Sequence, residues 1–415
     1  MSATLSFLAV SEIDQPSSIT TSARPVEPYR SDTAGLDIQV LRGGRSIVES
    51  IAAEWDLLCQ EGPGNAPFFT ATWLRAWLQA FEPDAELVLV VARRNELLRG
   101  VLPLIEKRTG YRGRMLTRLK SPTNYHSGRA DLVHGTGDGE EVAHAIWNTV
   151  NRQLRWDILE YRDVIDESGF HTLARAAADS GHHVIKRETI RSPYLAFDSA
   201  EDLSQRGPAK RLRRAQRTIA KNGGYHLRRT APADLTGLER LVQQEAAGWK
   251  GKSGTAIGQE PAALAFYSAL VSSRSPSFVA VFNEIIFNNE TIAINLGIEM
   301  GNRYFDPKRT YDETQHRYCP GHLVTQEILL ALPDRGIHEF DMMGHDEAYK
   351  LTWSTTTRQH YHYLIFRPGL KGTVLHRGVE MLAPMVMRWR TRLQQSRSKT
   401  DRSTVETTSD ASTES

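Results

Sequence analysis

One order of elements occurs twice along this chain: helix, hairpin, strand, loop, helix, strand, the copies separated by about 190 residues. In the first copy Trp73, Trp77 and Phe81 mark a helix, and Trp73 and Trp77, four apart, share its core-facing side. Glu86 to Ala92 and Leu97 to Glu106 read as two strands across a turn at Asn95 and Glu96. A glycine-bearing loop follows, then a helix over Gly139 to Leu154 and a strand over Trp156 to Tyr161. A helix over Leu173 to Ser180 and a strand over His183 to Phe197 complete it. The second copy runs from a helix, Pro261 to Ser272, through strands over Ser277 to Phe282, Thr291 to Met300 and Asn302 to Pro307. A helix over His322 to Leu332 and a strand over Ile337 to Met342 end it. This order predicts an α/β chain of two tandem units, each a mixed sheet covered by helices.

The expected boundaries are a disordered leader at 1–35, a first unit at 36–200, a basic helix and linker at 201–256, and a second unit at 257–370. A C-terminal amphipathic helix at 371–395 and a disordered Ser/Thr-rich tail at 396–415 follow. A length of 415 residues suits two domains of that size. No run approaches the roughly 18 apolar residues that span a bilayer, so peripheral contact through 373–395 is the membrane reading left open. Cys59 and Cys319 form neither a metal pattern nor a disulfide framework, which sets a cytoplasmic location as the expectation, with the inner face of the membrane as a variant.

The stretch from Tyr311 to Lys350 is the most informative for chemistry. Pro320-Gly321 separates a polar, strand-like lead-in from helix formers, and Gly336 breaks the chain again before the next strand. A tight turn at a helix N-terminus presents backbone N–H groups to an anion. Pro320, Gly321 and His322 are therefore candidates to bind a pyrophosphate, with Arg317 adding a charge-assisted contact. The alternative is a turn that merely starts a core helix.

Two further groups stand out. Trp249 offers an apolar face and Lys250 a cation in a loop that could close over substrate or simply join domains. Asp312 and Glu313 precede the turn and are candidates for moving a proton, while Asp346 and Lys350 beyond the last strand are candidates for acceptor contacts. Lys210 to Lys221 holds six basic residues and no acid, either a solvated bridge or an electropositive wall beside a phosphate-bearing ligand. His316 and His322 lack the spacing of a metal pair, so no metal is expected. No G-x-S-x-G elbow, Cys-His signature or Walker loop occurs.

Taken together, Pro67-Phe68-Phe69, Trp73, Trp77, Gly100 to Leu104, Glu245 with Trp249-Lys250-Gly251, Tyr311-Asp312-Glu313, Pro320-Gly321, Asp341 and Tyr349-Lys350 with Trp353 resemble the CelD/BcsL-like acyltransferases of GNAT type. That family is associated with cellulose and other envelope polysaccharides. The resemblance implies two tandem GNAT-like units of acyl-CoA N-acyltransferase fold, similar to the FemABX aminoacyltransferases. It implies an acyl-CoA (acetyl-CoA) donor in the second unit and a small-molecule or polysaccharide-precursor acceptor, with no DNA partner. Against the GNAT donor loop, Gln/Arg-x-x-Gly-x-Gly/Ala, Arg317 and Gly321 are present, whereas His322 and Leu323 replace its small residues. Two alternatives stay open: a tRNA-dependent aminoacyltransferase, whose tRNA would meet the basic helix, and a non-catalytic scaffold in polysaccharide assembly.

Overall fold

A computed structural model of the chain describes residues 29–30, 35–111, 114–199, 201, 203 and 206–381. The tail expected at 396–415 and most of the leader expected at 1–35 lie outside these residues. Of the helix expected at 371–395, residues 370–381 are described and are helical. Its Leu375 and Val379 pack on a small cluster around Ile158 and Phe366.

Fourteen strands form one sheet. In chain order they are β1 (Tyr29–Arg30), β2 (Asp37–Gly43), β3 (Glu86–Arg94), β4 (Leu97–Tyr111), β5 (Arg114–Lys120), β6 (Val133–His134) and β7 (Ile158–Ile165). The second half adds β8 (His183–Ala196), β9 (His226–Thr230), β10 (Val279–Phe287), β11 (Glu290–Met300), β12 (Arg303–Tyr311), β13 (Glu339–Asp341) and β14 (Thr357–Phe366). Their spatial order is β1-β2-β3-β4-β5-β7-β14-β8-β13-β12-β11-β10-β9, with β6 beside β4.

The duplication is plain in the pairing. β2 to β5 form an antiparallel run that ends on a parallel partner, β7. β9 to β12 do the same and end on β13. Both central hairpins turn through two residues of positive φ, Asn95 and Glu96 in one and Asn288 and Asn289 in the other. That geometry matches the twist of the flanking strands. The units exchange strands at their junction: β14 returns to lie between β7 and β8. β8 pairs with β14 up to Pro193 and then with β13 from Tyr194 to Ala196.

Six strands differ from the sequence reading: β5 and β6 lie in what reads as a glycine-bearing loop, β9 in the segment read as helix and linker, and β1, β2 and β14 have no forerunner. The strand-like lead-in after Tyr311 is instead a 3-10 helix, Glu313–Tyr318. Its start is fixed by the Asp312 carboxylate, which accepts from Thr314 N at 2.9 Å and Thr314 Oγ1 at 2.7 Å.

Helices cover both faces. The helix Ala71–Phe81 begins where Thr70 Oγ1 accepts from Trp73 N at 3.1 Å. Trp73 then meets Phe68 of its own unit and Phe266 of the helix Pro261–Ser272, ring centroids 5.0 and 5.3 Å apart. The tryptophan stripe is thus the core that joins the units. Burying each such ring contributes roughly 3 kcal/mol. On β10 and β11, Phe282, Ile294 and Leu296 face this core, while Val281, Ile285 and Ala293 face the helix Pro320–Ala331. The two helices therefore sit on opposite faces. Among the described residues no helix is long and apolar enough to cross a membrane.

Candidate active site

The register of β12 creates the site. Only Arg303 to Phe305 pair with β13. On its other edge β12 stays bonded to β11 as far as Tyr311. From Asp306 to Tyr311 one edge of an extended strand therefore has no neighbouring strand among the described residues. In the first unit the parallel contact falls at the end of β5, Arg118 to Lys120, so the strand does not run on past it. A buried relay holds β12 at the fork: Asn283 Nδ2 donates to Tyr304 Oη at 2.8 Å, Tyr304 Oη donates to Asn295 Oδ1, and Asn295 Nδ2 donates to Asp306 Oδ1 at 2.7 Å.

A cavity of about 340 Å³ opens beside that free edge. Arg309, Thr310 and Tyr311 of β12 form one wall, Cys319 to His322 a second, and Arg211, Trp249, Lys250, His316 and Tyr349 the rest. A depression of about 600 Å³ around His171, Arg175, Lys186 and Tyr363 lies in the first unit's sheet region. It has no unpaired strand beside it.

The helix Pro320–Ala331 starts without a side-chain cap, on Cys319 at φ 52°. The amides of His322 and Leu323 both donate to the Cys319 carbonyl, at 2.9 and 3.0 Å, and Pro320 has no N–H. The Gly321 N–H has no partner among the described residues, and the positive helix end stands behind it. Gly321 is required by closeness rather than by φ: a Cβ there would lie 3.0 Å from the Tyr311 ring.

Cations surround this end. Arg309 donates through Nη1 to Thr325 Oγ1, lies 3.6 Å from Asp306 Oδ2, and holds its guanidinium 5.2 Å from the centre of the Tyr349 ring. Arg211, from the basic helix Ala209–Ala220, donates to Cys319 Sγ at 3.0 Å, so that helix forms a wall of the cavity. Burial, with Arg309 and Arg211 nearby, pushes His322 down to about 4. Trp353 Nε1 donates to His322 Nδ1 at 3.2 Å, which places the proton of the neutral ring on Nε2.

Of the residues singled out by sequence, Trp249, Lys250, Pro320, Gly321 and His322 come together on the cavity. Trp249 is 56% exposed and presents a free ring face. Lys250 donates to Glu245 Oε1 and to Arg309 O, the latter at 3.0 Å. The others lie elsewhere. Asp312 caps the 3-10 helix, and Glu313 accepts from Trp249 N at 2.6 Å, so both carboxylates hold backbone amides. Arg317 stacks over Tyr318 at 4.5 Å. Asp346 pairs with Arg191 at 3.2 Å. Lys350 is buried and donates to the carbonyls of Met343 and His345, at 2.7 and 3.1 Å, closing the loop after β13. Arg309 and Thr310 went unrecognised in the sequence, and Tyr349 was given no role there. An arginine within a strand pattern that stops at a turn is the only signal Arg309 offers.

Residues 206–351 match the acetyltransferase (GNAT) domain family. This is the segment that carries β9 to β13 and the cavity. No curated protein matches the chain in sequence. Among solved structures, FemX is similar over 79% of this chain and 98% of its own, at 10% identity and a TM-score of 0.55. The C-terminal domain of a putative lysylphosphatidylglycerol synthetase from Agrobacterium fabrum is similar over 81% and 96%, at 11% identity and a TM-score of 0.47. A tandem GNAT protein from the clavulanic acid biosynthesis pathway is similar over 80% and 100%, at 12% identity and a TM-score of 0.44. At such identities the likeness to FemX shows a shared fold. The match over residues 206–351 supports acyl transfer as general chemistry.

Proposed function

We propose that this protein transfers an acyl group from a CoA thioester to an amine or hydroxyl of an envelope-polysaccharide precursor. One observation carries the reading: the unpaired edge of β12, Asp306 to Tyr311, runs beside an uncapped helix N-terminus flanked by Arg211 and Arg309. An extended thioester arm needs backbone partners along its length, and the free edge supplies them. A pyrophosphate needs convergent donors, and the helix end with two guanidiniums supplies those. As the nucleophile attacks, negative charge grows on the thioester oxygen, and a preorganised backbone N–H lowers the barrier by stabilising it. Neutral His322, holding its proton on Nε2, can donate to the donor without competing for its charge. Trp249 is placed to cover the apolar part of the arm.

Calorimetry with acetyl-CoA tests this. Binding at micromolar to sub-millimolar concentration, lost in Arg309→Ala, is the expected result, and no heat at millimolar donor overturns it. A second reading has its own support: Lys210, Arg213, Arg214, Arg217 and Lys221 are exposed on the helix that walls the cavity. An aminoacyl-tRNA donor would meet these side chains, and its affinity would fall steeply with salt.

A further inference from the structure

Lys308 leaves β12 on the face opposite Arg309 and enters a recess built by both units. Its Nζ lies 5.4 Å from the centre of the Tyr267 ring and 5.8 Å from that of Tyr125. Tyr267 belongs to the helix Pro261–Ser272, and Tyr125 to a first-unit loop, its ring 66% exposed at the mouth. Beside Tyr125, His126 stacks on Phe81 and brings Nε2 to 3.1 Å from Glu260 Oε2 and Nδ1 to 3.4 Å from Tyr267 Oη. The carboxylates near the lysine are committed elsewhere: Glu245 to Lys250 and to Ile257 N, Glu260 to His126. Lys308 makes no ion pair among the described residues, which is unusual for a half-buried cation. Burial, opposed by Glu245 and Glu260 and aided by Lys250, pushes its ammonium down to about 8.

The strand that would line the donor thus sends a lysine through to the other side of the sheet. Asp312 and Glu313, by contrast, are held by backbone amides. Resting on the donor reading above, we infer that the recess of Tyr125, Tyr267 and Lys308 is the acceptor subsite and that neutral Lys308 is the base that deprotonates the attacking amine or hydroxyl. As the new C–N or C–O bond forms, the nucleophile's proton passes to the Lys308 lone pair. The C–S electron pair leaves with the CoA sulfur, which recovers that proton from the Lys308 ammonium, so the lysine is regenerated and CoA departs as the thiol.

The position can be read without knowing the acceptor. A base in contact with the nucleophile lies within a few ångströms of the acyl carbon, so with no acceptor present the lysine itself becomes the nearest amine. The full-length protein is incubated with acetyl-CoA from pH 6.5 to 9.5 and each lysine peptide followed by mass spectrometry. Acetylation of Lys308 is expected at least tenfold faster than at other lysines, with a midpoint near pH 8 and suppression by excess CoA. In parallel, CoA release with water as acceptor should rise through the same pH range in the wild type and lose that rise in Lys308→Arg, which keeps the charge but cannot act as a base. Calorimetric binding of acetyl-CoA with Lys308 acetylated no faster than surface lysines overturns the inference. So does an unchanged pH profile in Lys308→Arg. Absence of any acetyl-CoA heat is a separate failure, that of the donor reading, and removes the reaction this base would serve.

Discussion

Arg129, in a first-unit loop, donates to the carboxylate of Asp341, on second-unit strand β13, at 2.7 Å. Arg358 of β14 donates to the same oxygen at 3.0 Å, and all three side chains are almost fully buried. The two guanidiniums meet on one acid at the point where the units exchange strands. Burial alone would raise the Asp341 pKa, but Arg129 and Arg358 overcome it and hold the group below the usual carboxylate value. Asp341→Asn strands the buried Arg129, while Arg358 keeps Glu339 at 2.7 Å and Glu167 at 3.1 Å, and should cost about 3 kcal/mol, read as a lower urea midpoint. Because the folded pKa is the lower one, this contribution is present above the unfolded carboxylate's pKa, near 4, and is lost as the pH falls through the folded value. A wild-type midpoint that falls more steeply below pH 4 than that of the Asn variant would confirm the assignment, and parallel curves would refute it.

Gly321 and Tyr311 face each other on the wall of the cavity. A Cβ on Gly321 would stand 3.0 Å from Cδ1 and 3.3 Å from Cε1 of the ring, and Tyr311 is exposed enough to swing aside. Gly321→Val should therefore weaken acetyl-CoA binding by at least about tenfold, roughly 1.4 kcal/mol, while Tm moves only a few degrees. Calorimetry with a thermal melt separates the two effects. An unchanged Kd would show that the donor does not pass this turn.

How much of this was legible in the sequence depends on how locally each feature is specified. The helix Pro261–Ser272 is written in its own residues, with proline at the first turn and an apolar run behind it. Asn95-Glu96 and Asn288-Asn289 announce their hairpins, and Pro320-Gly321 announces an uncapped helix start. β14 was hidden because its buried positions carry Arg358, His360 and His362, which read as surface residues. Their partners, Asp341, Ser192 and Glu160, lie far along the chain. For Asp312 and Glu313 the converse holds: acids beside a turn read as proton carriers, and the backbone amides they accept from show only in the structure. Arg309 and Lys308 are adjacent in sequence, and only the alternation of a strand with one free edge shows that they serve opposite faces.

His322 lies on the cavity beside two guanidiniums, and burial together with Arg309 and Arg211 lowers its pKa from 6.5 to about 4. The unfolded chain takes up this proton first, so the folded state loses stability as the pH falls from about 6.5 to about 4. The ring proton of His322 in an NMR titration should move with a midpoint near 4. Acetyl-CoA affinity should show no inflection from this residue near 6.5. A midpoint above 6 would mean that the two arginines do not face the ring in solution.

Glu245 is fully buried and links the cavity to the Lys308 recess, since it holds Lys250 on the cavity wall and lies among the charges that act on Lys308. Glu245→Gln keeps the shape and one acceptor for Ile257 N, but leaves Lys250 without its counter-charge, at a cost of about 3 kcal/mol in urea unfolding. The carboxylate also favours the charged form of Lys308, so removing it should move the Lys308 titration below its present value of about 8. Lys308 would then be neutral over a wider range, and the midpoint of its acetylation by acetyl-CoA should shift to lower pH even as the protein becomes less stable. A structural role for Glu245 alone would lower stability and leave that midpoint where it is. The direction of the shift decides between them, because loosening of the recess would instead admit water and return Lys308 toward the ordinary lysine value.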